Sequence, residues 1–262
     1  MKKYYITTAI DYINGKPHLG HAYEKIGADV IKRYKNQVGV QTFLLAGTDE
    51  HSTNVLKCAD SLGIEPKQYC DQMAEKRVIP WGQDGNFSAE GLETTYNNDL
   101  ANDYGNLISR TTAMINKFAN GYLPEMTKHR CGYEMKNSVE KALLRYHGFM
   151  ETMQFAETLN EVITLVNHAN RYIDQSAPWQ LYADNKQSEL SDVLYDLVET
   201  IRISTWMLQP FMPNLKKRVW GQLGFDREIN EADNPSWGCS YGNAKINRGA
   251  PLFPRIKTSS PV

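Results

Sequence analysis

The chain has 262 residues, of which 41% are hydrophobic and 23% are charged, and its formal net charge is −1. This composition is typical of a folded globular protein and indicates neither a disordered nor a fibrous chain. A net charge so close to zero gives nucleic-acid binding no support from bulk electrostatics, although it leaves room for a local basic face.

Hydrophobic runs and cysteines point to a cytoplasmic protein. No window approaches the roughly 18 uncharged apolar residues that a membrane span needs, and the first residues lack the apolar core of a signal peptide. The four cysteines, Cys58, Cys70, Cys131 and Cys239, are scattered along the chain. Because they have neither the paired spacing of a zinc site nor the density of a disulfide framework, we expect free thiols, no zinc site and no membrane partner.

The N-terminal part of the chain predicts a strand, a helix and a second strand. Residues 4–10 are rich in β-branched and aromatic types, and residues 11–17 form a turn-prone stretch. Apolar residues then recur at helical spacing from His21 to Tyr34, and a short apolar strand follows at 42–46. Such a βαβ unit is right-handed and binds ligands at the carboxyl ends of its strands.

The rest of the chain predicts mainly helices. A second helix is expected from about Pro66 to Lys76, after which residues 78–85 lack a helical pattern and mark a domain boundary. Further helical stripes cover 88–121, 139–150, 155–173, 190–208 and 215–223, and no sustained period follows them. The expected organisation is therefore an α/β domain over 1–76, followed by an all-α bundle with an irregular tail over 77–262.

Two histidines mark the point where the first loop meets the first helix, in Pro17-His18-Leu19-Gly20-His21. The backbone amides and the positive end of a helix there favour a bound phosphate. Imidazoles can also donate hydrogen bonds to phosphate oxygens as charge develops, and glycine lets a base or ribose lie against the backbone. From these residues alone, a turn that happens to contain two histidines is an equally good interpretation.

The wider context of this motif carries a family resemblance. A strand and an Asn-Gly turn precede it, and the second strand ends in Gly47-Thr48-Asp49-Glu50-His51. Together these segments resemble the first half of the catalytic domain of a class I aminoacyl-tRNA synthetase of the methionine type. The resemblance implies a Rossmann-like nucleotide-binding fold, of which this chain carries a first-half remnant, with methionine and ATP as substrates and Mg²⁺ accompanying ATP.

The resemblance also implies roles for residues around the first motif. His18 and His21 would be the catalytic residues that hold ATP, and Gly20 would lie against it. The bland interpretation is that the segment is an ordinary loop and helix start.

Three further residues would form the methionine pocket. By the resemblance, Ile10 and Tyr12 would line the side-chain pocket, and Asp49 would hold the ammonium group by a charge-assisted hydrogen bond. The ordinary interpretations are a core residue for Ile10, a surface ring for Tyr12 and a capping acid for Asp49. A metal site at Asp49-Glu50-His51 is also conceivable, but consecutive residues at a strand end point in different directions, so we expect none.

A second set of motifs resembles the anticodon-binding domain of the same family. Asn98 to Asp103, followed by Gly105 to Arg110, resembles the helix that opens this domain, and Asn106 and Arg110 lie four residues apart on one helix face. Asn170 to Trp179 resembles the segment whose tryptophan stacks on an anticodon base. An aromatic face with amide and guanidinium edges suits an unstacked RNA base, so we expect all three side chains to contact the anticodon of tRNA. Without the resemblance, Trp179 would be assigned to the core and Arg110 to a solvated helix face.

One large part of the family pattern is absent from the sequence. The resemblance extends to Gly249–Ile256, which is similar to the usual end of the family's core region. Between Ala74 and Val78, however, the family normally has a connective domain, often zinc-bearing, and a second nucleotide-fold half with a Lys-Met-Ser-Lys-Ser loop. None of this occurs in the sequence. Losing even one preorganised donor typically lowers a rate by roughly a hundred to a thousandfold, so catalysis by the chain alone is in question.

Three functions therefore remain open at this point. The first is a methionine–tRNA ligase by descent. The second is a non-catalytic tRNA-binding module, in which the helical part still binds the anticodon arm. The third is one half of a split synthetase, whose missing catalytic half is a separate chain.

Overall fold

The structure is a computed structural model that describes residues 2–12, 19–49, 53–69, 89–125, 134–225, 235–239, 242–247 and 249–256. The chain divides into two compact units, Met1–Ser88 and Ala89–Val262. The expected domain boundary between residues 76 and 77 lies outside the described residues and stays a prediction. In the part of the chain that is described, no helix is both long and apolar enough to cross a bilayer.

The first unit contains the predicted strand–helix–strand order. Strand β1 is Lys3–Tyr12, helix α1 is Leu19–Gln37 and strand β2 is Gln41–Asp49. The two strands are parallel, and their register runs from Lys3 opposite Gln41 to Tyr12 opposite Asp49, with an irregularity between Thr7 and Ile10. The βαβ prediction is confirmed, and the carboxyl ends of both strands lie side by side.

The two faces of this sheet differ in exposure. Helix α1 buries Val30, Ile31 and Tyr34, and the ammonium of Lys35 lies 5.1 Å from the centre of the Tyr4 ring. Tyr5 and Phe43, by contrast, are each 59% exposed and stack at 5.4 Å. Because parallel sheets are normally covered on both faces, this exposed aromatic pair is unusual.

Helix α2, Thr53–Leu62, follows β2 and was not predicted from the sequence. Its small core joins Ala59 to Tyr69, both of which are buried. Leu56 and Leu62 are 51% and 61% exposed, so this short helix leaves much of its apolar surface open. Residues 66–69 are helical, as predicted, and the remainder of the predicted helix to Lys76 lies outside the described residues.

The second unit is helical, as predicted. Its elements are helix α3 (Ala89–Thr95), a π-helical segment (Tyr96–Tyr104), and helices α4 (Gly105–Phe118), α5 (Glu134–Glu151), α6 (Phe155–Ser176), α7 (Pro178–Ala183), α8 (Gln187–Leu208) and α9 (Leu215–Leu223). Helix α9 ends at Gly224, whose φ of 71° is a left-handed conformation that suits glycine. The short helix α7 and the π-helical segment were not predicted.

Helix α8 is the centre of the second unit. It contacts α4, α5, α6, α7 and α9, and every residue from 193 to 208 is buried. Two buried tyrosines of neighbouring elements form hydrogen bonds to α8. The hydroxyl of Tyr104 lies 2.6 Å from Thr205 Oγ1, and the hydroxyl of Tyr146 donates to the carbonyl of Met207 at 2.9 Å.

A fully buried ion pair lies on this central helix. Arg202 donates to both carboxylate oxygens of Glu199, at 2.8 and 3.0 Å, and neither side chain is exposed. Arg202 also donates to the carbonyl of Ser236 at 2.6 Å. Glu199 accepts the backbone N–H groups of Gly238 at 2.6 Å and Cys239 at 3.2 Å. The pair thus fixes segment 235–239 against α8.

We predict that Arg202→Met lowers the free energy of unfolding of the helical unit by about 3–5 kcal/mol, because it leaves the carboxylate of Glu199 buried and unpaired. The matched control is Arg145→Met. Arg145 pairs with Glu161 at 2.5 Å, but its side chain is 52% exposed, so a loss of at most about 1 kcal/mol is expected. Urea unfolding followed by circular dichroism measures both. Equal losses for the two variants would contradict the prediction.

Candidate functional site

The first site lies at the carboxyl end of β1, against the first turns of α1. Asp11 is buried, and the ammonium of Lys25 lies 3.3 Å from its Oδ2 atom. Lys25 also donates to the carbonyl of Ala9 at 2.6 Å, while Glu24 accepts the backbone N–H of Ala9. His21 Nε2 lies 4.0 Å from Asp11 Oδ1. These contacts hold the start of α1 beside the end of the strand.

The structure describes three of the residues that were predicted for this site: Ile10, Gly20 and His21. His21 is 26% exposed at the side chain, and Gly20 lies exposed in the first turn of α1. Ile10 is 64% exposed, so the interpretation of Ile10 as a core residue is wrong for this chain. The three residues gather at one end of the unit, which is the end where parallel sheets bind ligands.

The other three predicted residues are described in part or not at all. Tyr12 and Asp49 are paired across the two strands at their carboxyl ends. Their backbones therefore meet at the ligand-binding end, and nothing further is described of their side chains. His18 lies outside the described residues, and so does His51 of the alternative metal site.

Sequence reasoning did not identify Asp11 and Lys25 as members of this site. Lys25 follows His21 by four residues, and this spacing places both side chains on one helix face. Lys25 is paired with the carboxylates of Asp11 and Glu24, each at 3.3 Å, so the positive end of α1 and the imidazole of His21 are the groups here that suit an anion. Among the described residues, no group of three or more His, Cys, Asp or Glu side chains could hold a metal ion.

The second site lies where α4 faces the end of α6. Asn106 is exposed in the first turn of α4, and Arg110 follows one turn later with 31% of its side chain exposed. Arg110 Nη2 donates to Asp174 Oδ1 at 2.5 Å, and Asp174 is itself 63% exposed. The guanidinium of Arg110 is therefore held in place by a carboxylate at the protein surface.

Trp179 is presented by a sharp turn between α6 and α7. Ala177 has a left-handed backbone, with φ 42° and ψ 62°, and Pro178 is buried at the first position of α7. The Trp179 side chain that follows is 48% exposed. The interpretation of Trp179 as a core residue is therefore wrong, and its indole is available to a partner.

A cleft of about 440 Å³ adjoins Asn106. Its lining includes Asn102, Ser109 and Arg255, which offer amide, hydroxyl and guanidinium groups. Arg255 donates to Asn102 Oδ1 at 2.6 and 2.9 Å. Sequence reasoning gave the C-terminal tail no part in a site, because a segment without periodicity carries no signal of where it packs.

Two ring contacts and two hydrogen bonds hold this tail against the π-helical segment. The ring of Phe253 meets Tyr96 and Tyr104 edge-on, each at 6.1 Å. The side-chain amide of Asn97 donates to the carbonyl of Ile256 at 3.1 Å and accepts its backbone N–H at 3.0 Å. The cleft is thus built from the first part and the last part of the second unit.

Two family models match the chain. The first, described as tRNA synthetases class I (M), matches residues 4–81, and the second, described as the anticodon binding domain of methionyl tRNA ligase, matches residues 125–237. Trp179 lies within the second match, whereas Asn106 and Arg110 lie between the two.

Curated relatives agree with these matches. The methionine–tRNA ligase of Caldanaerobacter subterraneus subsp. tengcongensis is 36% identical over 202 residues, covering 74% of this chain and 32% of that protein. The methionine–tRNA ligase of Bacillus subtilis is 36% identical over 192 residues, covering 71% of this chain and 29% of that protein.

Solved structures support the fold. The methionyl-tRNA synthetase of Mycobacterium tuberculosis in complex with methionyl-adenylate superposes with a TM-score of 0.85 at 14% identity, covering 97% of this chain and 100% of that chain. Its apo form gives 0.76 at 16% identity, covering 98% and 99%. The predicted fold class, a Rossmann-like remnant followed by a helical part, is thus confirmed. The chain belongs to the methionyl-tRNA synthetase family, and it spans about a third of the length of the curated relatives that it matches.

Proposed function

We propose that this chain is a methionine–tRNA ligase by descent, and that its helical unit binds the anticodon of tRNA. The 48% exposure of the Trp179 side chain, five residues after the Asp174 that pairs with Arg110, is the observation that supports this most strongly. RNA recognition targets unstacked bases with aromatic faces and with polar edges of this kind. The Arg110–Asp174 pair links α4 to the end of α6, only a few residues before Trp179.

The N-terminal unit would contribute the ATP and methionine contacts. A structural neighbour is described in complex with methionyl-adenylate. Such an adenylate forms when the carboxylate of methionine attacks the α-phosphate of ATP and pyrophosphate leaves. His18 and His21 would donate to phosphate oxygens. Lys25, paired with Asp11 and Glu24, would hold the first turns of α1 beside the end of β1. Mg²⁺ would arrive with ATP, bound to its phosphates.

The methionine contacts fit the same end of the sheet. Ile10 and Tyr12 of β1 would face the methionine side chain, and Asp49 of β2 would accept hydrogen bonds from its ammonium group. Gly20 would let the adenosine lie against the backbone. After activation, the terminal ribose hydroxyl of tRNA would take the methionyl group, so that positioning of the two substrates, rather than a protein nucleophile, would drive both steps.

A second candidate is a tRNA-binding module or one half of a split synthetase. The exposed Tyr5–Phe43 pair favours it, because a complete parallel sheet covers such a face. The lysine loop that the family resemblance implies also has no counterpart in the sequence. In the split case, a separate chain would supply the remaining strands and this loop.

ATP–pyrophosphate exchange and tRNA binding, measured side by side, separate these candidates. We predict that the chain binds methionine tRNA, while its exchange rate is at least a hundred to a thousandfold below that of a complete relative, because preorganised phosphate donors are missing. The complete Bacillus subtilis ligase is the positive control. Exchange at its level would refute the expected catalytic deficit, and an absence of tRNA binding would refute the anticodon proposal.

Trp179→Ala is predicted to weaken binding of a methionine anticodon stem-loop by roughly tenfold, because it removes the stacking surface for one base. Trp179→Phe, which keeps an aromatic face, is expected to lose less. Fluorescence anisotropy of a labelled stem-loop measures both, and thermal unfolding verifies that the fold is retained. Unchanged affinity in a folded Trp179→Ala variant would contradict a stacking role.

Asp174→Asn tests whether Arg110 must be released before it can bind RNA. The carboxylate competes with RNA for the guanidinium and repels phosphates, so its neutral variant is predicted to bind the stem-loop several-fold more tightly at low salt. Arg110→Ala is expected to bind more weakly than the wild type. Weaker binding by Asp174→Asn would instead show that Asp174 positions Arg110 for the RNA.

A further inference from the structure

A second exposed aromatic side chain lies one turn after Trp179. Tyr182 follows it by three residues on α7, which places the two rings on one helix face, and it is 44% exposed. Tyr182 is therefore a neighbour of Trp179 on the same exposed surface. No motif in the sequence had singled it out.

Tyr182 is supported from beneath by the end of α4. The rings of Tyr182 and Phe118 lie 4.8 Å apart at an interplanar angle of 31°. The ammonium of Lys117 lies 5.3 Å from the centre of the Phe118 ring. Aromatic pairs of this kind contribute about 0.5–1.5 kcal/mol beyond the area that they bury. Tyr182 thus packs on Phe118, and the exposed Lys117 contacts the same Phe118 ring.

The spacing of the two exposed rings fits a single-stranded nucleic acid. Side chains three residues apart on a helix are surface neighbours, with about 5–6 Å between their Cβ atoms, so two adjacent unstacked nucleotides can each meet one ring. Proteins that bind single strands combine aromatic platforms for successive bases with cations that follow the backbone. Trp179, Tyr182 and Lys117 provide this combination within two neighbouring helices.

We propose that Tyr182, supported by Phe118, is a second stacking platform, which takes the nucleotide next to the one on Trp179, while Lys117 contacts the phosphate of that nucleotide. The proposal rests on the anticodon-binding function and deepens it, because it gives the helical unit a run of two bases rather than one. Asp184, at the end of α7, accepts a hydrogen bond from Gln180 at 2.9 Å. Because its carboxylate repels phosphates, the RNA would not extend past this end of α7.

The experiment uses the full chain and methionine anticodon stem-loops in which one loop nucleotide at a time is abasic. Tyr182→Ala is expected to weaken binding of the intact stem-loop about fivefold or more, and Tyr182→Phe to bind like the wild type. For one abasic stem-loop only, Tyr182→Ala and the wild type should bind with equal affinity, because the base that stacks on Tyr182 is missing. Trp179→Ala should match the wild type when the adjacent nucleotide is abasic, for the same reason.

Leu144→Ala is the matched control for removing exposed apolar surface, since Leu144 is 77% exposed on α5. It should leave affinity unchanged. If Tyr182→Ala weakens binding of every abasic stem-loop equally, Tyr182 has a structural role and the proposal is wrong. If Tyr182→Ala binds the intact stem-loop as tightly as the wild type does, Tyr182 does not stack on the RNA and the proposal is also wrong. If the wild type fails to bind any stem-loop, the anticodon function itself fails, which is a separate and recognisable outcome.

Discussion

A guanidinium and a carboxylate that are both fully removed from water determine how the helical unit is arranged. A buried pair of this kind is weak evidence for stability, because the cost of desolvation offsets much of the attraction. Glu199 and Arg202 do more than attract each other, however, since both also hydrogen-bond to the main chain of residues 236–239. The pair therefore specifies where the chain must pass after α9. Helix α8, which carries it, is in turn the element against which α4, α6 and α7 are packed.

The surface of the same unit follows from this rigid centre. Helix α6 is fixed against α8 and ends at Ser176, and the chain must then turn at once to begin α7. Ala177 makes the turn in a left-handed conformation that typically costs a non-glycine residue about 1–2 kcal/mol. Strain of this size persists only where the surroundings enforce it, and it tends to occur at functional positions. Here its result is that Trp179 points outward while Pro178, its neighbour, is buried.

Periodicity in the sequence predicted the strands and the long helices, because an element that is buried on one face carries apolar residues at regular spacing. Periodicity gave no prediction where the buried residues do not follow a regular spacing. Helix α2 exposes Leu56 and Leu62, and the π-helical segment keeps the residue types of an ordinary helix. Glu199 and Arg202, three residues apart, have the spacing of a solvated surface pair, and only the packing of other helices around α8 buries them. The exposure of Trp179 was expected from the family resemblance alone, while Tyr182 carried no signal.

The two units differ in how completely each buries its apolar surface and pairs its buried charges. In the helical unit a central helix is surrounded by others, its buried charges are paired, and its exposed aromatic groups lie on a surface that the core supports. In the N-terminal unit, the described strands leave Tyr5 and Phe43 open on one face, although Asp11, His21 and Lys25 are already organised at the ligand-binding end. Binding needs only a rigid surface, whereas acceleration of a reaction needs donors fixed around the reacting phosphate from more than one side. The structure therefore supports recognition of RNA by the helical unit more fully than it supports chemistry at the strand ends.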